Sequence, residues 1–176
     1  MKFAASMIAL ACVGTAALAQ SEDDKLTGDE LKALYAATPY ECSGYEPLTD
    51  SCETLAKVLM SGETMTAGGK SMLDETSDIA ITANGALNGD RICVGPNDYE
   101  IKVSGPNTDM NGMVETQTKA FVSQFGVVCT TYYDNGDGSY LSVTAQEDGT
   151  PVPMGTETVH FFPDEKPLRV ERSSDL

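Results

Sequence analysis

Residues 127–146, VVCTTYYDNGDGSYLSVTAQ, decide how this chain is read. Val127 to Tyr133 and Ser139 to Gln146 are rich in β-branched and aromatic residues, which suit the pleated, half-buried surface of a strand. Between them, Asp134-Asn135-Gly136-Asp137-Gly138 offers residues that accept positive φ or bond their own backbone, so the segment reads as a β-hairpin. Downstream, Asp148-Gly149 marks another turn, Gly155 to Phe162 a further strand, and Pro167 to Glu171 a short edge strand before a polar tail at 172–176.

Upstream the period of two persists. Tyr99, Ile101 and Val103 alternate with Glu100, Lys102 and Ser104, framed by Gly-Pro-Asn at 95–97 and again at 105–107. Arg91 to Val94 and Asp78 to Ala83 read as two more short strands, with Asn84-Gly85 and Asn88-Gly89 as turns. Between these strands and the hairpin, Met113, Val114, Phe121 and Phe125 fall on one helical stripe. Asn111 is placed to cap that helix and Gly126 to end it, so residues 112–125 are expected to be helical. Thr64 to Lys70, TMTAGGK, reads as a flexible connection.

The N-terminal third has a different pattern. Thr27-Gly28-Asp29-Glu30 is a capping box, followed by Leu31, Leu34, Tyr35 and Thr38 at helical spacing and stopped by Pro39. Asp50-Ser51-Cys52-Glu53 repeats the start signal. Cys52, Leu55, Ala56 and Leu59 then share a helical face, with Ser61-Gly62 as the stop. Short helices followed by a largely antiparallel sheet make an α+β fold over residues 27–171, after a flexible N-terminus at 20–26. A small β-barrel with a helical N-terminus is the alternative.

The opening MKFAASMIALACVGTAALAQ has a basic Lys2, an apolar run from Phe3 to Val13 and small residues at Ala17 and Ala19. It reads as a signal peptide removed after Ala19, too short for a membrane span and followed by no basic stop. Four cysteines then remain, Cys42, Cys52, Cys93 and Cys129, and an even number in an exported chain points to two disulfides. The pairs Cys42–Cys52 and Cys93–Cys129 are favoured, the first because it closes a short loop. The expected location is the periplasm of a Gram-negative bacterium, or the exterior.

With 27 acidic residues against 11 basic ones, the formal charge is −16, and losing Lys2 makes the mature balance 10 − 27 = −17. Such a chain repels phosphate backbones, which excludes nucleic acid as a partner. From 120 to 165 no Lys or Arg occurs, while Asp134, Asp137, Glu147, Asp148, Glu157, Asp164 and Glu165 all carry negative charge. A single-sign region of this kind suits a cationic protein or peptide. A non-catalytic binding module for such a partner is therefore the leading expectation. A carboxylate-dependent hydrolase and a structural envelope protein are the alternatives.

Other chemistry is poorly served. Ala67-Gly68-Gly69-Lys70-Ser71 ends like a phosphate-binding loop, but Thr64 stands where the motif's first glycine belongs. The 134–139 turn lacks the acidic spacing of an EF-hand, and Glu147 and Asp148 lie a full strand away, roughly 25 Å at ~3.3 Å per residue. His160 is the sole imidazole and no GxSxG nucleophile turn accompanies it. No catalytic residue, metal or cofactor is therefore assigned.

Overall fold

The computed structural model describes residues 21–170. The signal-peptide reading of 1–19 and the polar tail at 172–176 lie outside them. After a 3-10 turn at Glu22–Asp24 comes helix α1, Gly28–Ala37. Five strands follow: β1 Tyr40–Ser43, β2 Thr54–Ser61, β3 Thr64–Met72, β4 Asp78–Asn88 and β5 Arg91–Ser104. Helix α2, Thr108–Ser123, leads to β6 Val128–Asp134, β7 Tyr140–Gln146 and β8 Pro151–Phe162. Every strand pairs antiparallel with its sequence neighbour, and β8 returns to β1, so the eight strands form a closed barrel.

The α+β expectation is thereby overturned, and the main reason lies in residues 52–61. The apparent helix there is strand β2. Ala56, Val58 and Met60 point into the barrel opposite Gly69, Ala67 and Met65 of β3. Leu55 points outward, where it is buried beneath Leu168 with the Cys42–Cys52 bridge. Apolar residues thus occur on both faces, and their union mimics a helical stripe. The false capping box has its own cause: the Glu53 carboxylate pairs with Arg169 at 2.7 Å.

Three other local readings are corrected. Thr64 to Lys70 is the body of β3, paired on both sides. Asn84-Gly85 is not a turn, because Gly85 lies within β4, where an added Cβ would stand 2.7 Å from the Cys93 carbonyl oxygen. The register shift between Ala83 and Gly85 leaves Gly95 to Asp98 bulged out of one continuous β5, and bulges of this kind bend barrel walls. Of the edge strand expected at 167–171, the described residues 167–170 form no named strand; their strand-type pairings are isolated bridges, Cys52 to Leu168 and Met72 to Val170.

Helix α1 starts as expected. Thr27 accepts from the Glu30 amide and the Glu30 carboxylate accepts from the Thr27 amide at 2.8 Å. It lies across the barrel end formed by the β2–β3, β4–β5 and β6–β7 turns. Lys32 reaches Glu63 of the first turn, and Gly28 sits so close to the second that an added Cβ would be 2.5 Å from the Gly89 carbonyl oxygen. Leu31, with 0% exposure, and Tyr35 enter the core beside Val58, Met65, Leu87, Ile92, Tyr132 and Val159. The helix thus closes one end.

Helix α2 closes a side. Only Ile92, Cys93 and Val94 of β5 pair with β6, leaving the rest of that edge without a strand partner. Polar side chains of α2 bond this edge instead: Glu115 accepts from the Val103 amide at 2.8 Å, Asn111 donates to Gly105 and Ser123 to Pro96. Covering an exposed edge in this way prevents its pairing with another chain.

Candidate functional site

Two concave regions bring chemistry-bearing residues together. The first is a groove of about 890 Å³ outside the α1 end of the barrel, between the N-terminal segment and the β6–β7 hairpin. Its floor includes Leu26, Tyr133 and Leu141, and its rim carries Asp23, Asp24, Glu30, Asp134 and Asp137. Lys25 is the one basic lining residue, and its ammonium lies 3.5 Å from Asp90. The sequence brings these acids together through two local devices. The Leu26 amide donates to the Tyr132 carbonyl, tying the N-terminal segment to β6. In the hairpin, Asp134 accepts from the Gly136 amide, and Asp137 from the Ser139 amide and hydroxyl. The Ser139 bonds hold the Asp137 carboxyl below its ordinary value, and bonds from Thr27 do the same for Glu30. Both stay ionised at mildly acidic pH.

The second region is the barrel interior, a cavity of about 250 Å³. Ala56, Val58, Met65 and Ala67 form one wall, and Ile92, Val94, Tyr99 and Val128 another. Glu41, placed inward by β1, faces this space with Tyr35 from α1 and Tyr132 from β6. The Tyr35 and Tyr132 hydroxyls donate to the same Glu41 oxygen, Oε2, at 2.7 and 3.0 Å, and lie 2.9 Å from each other. Three close oxygens need three protons for three hydrogen bonds. The two tyrosines supply two, so when both hydroxyls donate to Oε2 the contact between them carries no proton.

Burial pushes the Glu41 carboxyl above its ordinary value, against the opposing effect of the tyrosine bonds, and the charge of Glu157 adds to the rise. Burial also drives both tyrosines well above the usual phenol range, and holds Tyr99 at about 12.

No family model, characterised protein or solved structure matches this chain. Its chemistry must be read from these two regions.

The seven acids singled out by charge are divided among several regions. Asp134 and Asp137 are in the groove. Glu147 and Asp148 flank a separate depression with Phe125 and Val127, and Glu157 acts on the barrel interior. Glu165 lines an outer cleft that also contains Lys57 and Lys70. Asp164 lies in the same C-terminal segment but in neither concave region. Charge counting along the chain missed Asp23, Asp24 and Glu30, which precede the base-free stretch, and it missed Glu41.

The rejected motifs also have clear positions. Gly68 to Ser71 is extended strand, with Ser71 bonded to Thr54 at 2.6 Å, so no loop of amides converges there. Among the described residues no cluster of three His, Cys, Asp or Glu side chains has metal-holding geometry. His160 points out of the barrel opposite Cys42 and packs on Tyr45 and Phe162, with Nδ1 buried and unbonded. The cysteines form Cys42–Cys52 and Cys93–Cys129. Two disulfides fit an oxidising compartment, and no described helix is long and apolar enough to cross a membrane.

Proposed function

We propose that the protein is a non-catalytic binding module, exported to a periplasm or beyond, whose end groove receives lysine or arginine side chains of a cationic protein or peptide. The observation that carries this reading is the pairing of an apolar floor with a carboxylate rim in one groove. Lys and Arg have the matching design, an aliphatic stem that covers apolar surface and a charged head that stays at the polar edge. Five carboxylates surround a single lysine, so the local field draws cations from solution and orients them on approach. Carboxylate catalysis has less support, because Asp137 and Glu30 are held by bonds to their own turns.

The test is fluorescence anisotropy with a labelled hexalysine peptide at low and high salt. Asp134→Asn/Asp137→Asn is compared with Glu147→Gln/Asp148→Asn, which removes equal charge elsewhere. The groove variant should weaken binding about tenfold and the control much less, with affinity falling as salt rises. Equal losses in both variants would reduce the interaction to net charge and reject the groove as the binding surface.

A further inference from the structure

The barrel interior is independent of the groove and carries a different prediction. An eight-stranded barrel has room for a packed set of side chains or for one small ligand. Here Ala56 and Ala67 leave one wall short of side-chain volume, and a cavity of about 250 Å³ remains. That is smaller than the range for drug-sized ligands, ~300–1,000 Å³. At ~30 Å³ per water it equals about eight water molecules, which suits a body of about six to eight non-hydrogen atoms.

The lining defines the ligand's chemistry. None of the thirteen lining residues is Lys, Arg or His, and Glu41 is the one ionisable acid among them. Among the described residues Glu41 forms no ion pair; its bonded partners there are the two tyrosine hydroxyls, both at Oε2. Oε1 has no hydrogen-bond partner among the described residues. Tyr35, Tyr99 and Tyr132 also bring aromatic rings to the lining, and the faces of such rings attract cations. A carboxylate set among aromatic rings and apolar walls, with no basic side chain to neutralise it, is complementary to a compact organic cation.

The geometry points to the barrel interior as a binding site for one small organic cation, an alkylammonium or quaternary ammonium compound, paired with Glu41. The apolar part of the ligand would lie against Ala56, Val58 and Ala67, and its charge against Glu41 and the tyrosines. Pairing with the cation favours the ionised form of Glu41, so charge in the occupied cavity is balanced.

Isothermal titration calorimetry at pH 8 tests this with two cations and their uncharged isosteres: choline against 3,3-dimethylbutan-1-ol, and 3-methylbutylammonium against 3-methylbutan-1-ol. At least one cation should bind saturably with a stoichiometry of one, about tenfold or more tighter than its alcohol. Glu41→Gln, whose amide oxygen still accepts from the tyrosines, should remove that preference. Asp134→Asn/Asp137→Asn should leave it intact, which separates this site from the groove. Absence of saturable binding by both cations overturns the proposal. So does equal binding of the alcohols, or loss of cation binding in the groove variant. The isostere comparison uses the unaltered protein and remains decisive if Glu41→Gln fails to fold.

Discussion

The Cys93–Cys129 bridge offers a sharp test of how this barrel is held shut. It joins directly opposed residues of β5 and β6, strands that share three paired positions, whereas β3 and β4 share nine. The bridge therefore pins the shortest seam of the barrel. In the chain-entropy model, a separation of 36 residues corresponds to about 3.8 kcal/mol at 25 °C. The separation of 10 at Cys42–Cys52 gives about 2.7 kcal/mol. Replacing Cys93 and Cys129 together with alanine should then lower the urea-unfolding free energy by about 4 kcal/mol, and the melting temperature by roughly 8–15 °C for a chain of this size. Removing Cys42 and Cys52 should cost less. Hydrogen exchange adds a local readout, since Ile92, Val94, Val128 and Thr130 should lose protection beyond the global drop, while the centre of β3–β4 should not. A loss under about 1 kcal/mol, or uniform loss of protection, would refute the idea that the bridge secures a weak seam.

Two further perturbations address the core and the interior acid. Leu31→Ala should destabilise by about 2–5 kcal/mol, because the side chain is fully buried where α1 closes the barrel; a urea midpoint near that of the parent protein would show that α1 is not part of the cooperative core. Glu41→Gln should raise stability at neutral pH and have little effect at acid pH. Glu41 faces Tyr35, Tyr132 and the charge of Glu157, and burial raises its folded-state pKa. Its contribution is therefore complete below the ordinary glutamate value and lost as pH rises through the raised one. Unfolding curves at several pH values should diverge on the alkaline side, and divergence on the acid side would contradict the assignment.

Local signals in the sequence were reliable where local physics decides the structure. The Thr27–Glu30 box, the 134–138 turn and the helical stripe around Phe121 depend on contacts within a few residues. Helix α2 begins earlier than read because Asn107 caps it, accepting from the Met110 amide, while Asn111 instead donates to Gly105. Failures cluster where two faces of one strand are both covered. Val58 is buried inside the barrel and Leu55 outside it, so β2 lacks the alternation that marks a one-sided strand. Gly85 reads as a turn residue because the chemistry that suits turns also suits close approach of two backbones. Closure enters the sequence reading only as the alternative of a small β-barrel, since it rests on the four residues of β1 meeting β8 at the far end of the chain.

Glu41 shows why the interior site was the hardest part to anticipate. It occupies the inward position of that same short strand, between the outward Tyr40 and Cys42, where a charged residue reads as a solvent-facing one. Its two partners are separated from it by 6 and 91 residues, and neither separation carries any periodic signal. The groove is different, because each of its halves is a local turn rich in Asp and only their juxtaposition required the fold. One acidic composition therefore hides two unlike populations of carboxylate. On the rim, Asp137 and Glu30 are held ionised by bonds from Ser139 and Thr27, and the exposed rim acids together form a field that acts before contact. The one inside is pushed toward the neutral form by burial and by the charge of Glu157, against tyrosine bonds that favour its charge, so a cationic partner would find there a carboxylate without a counter-ion. Salt should weaken the first kind of recognition strongly and the second weakly, because screening acts on solvent-exposed charges far more than on buried pairs.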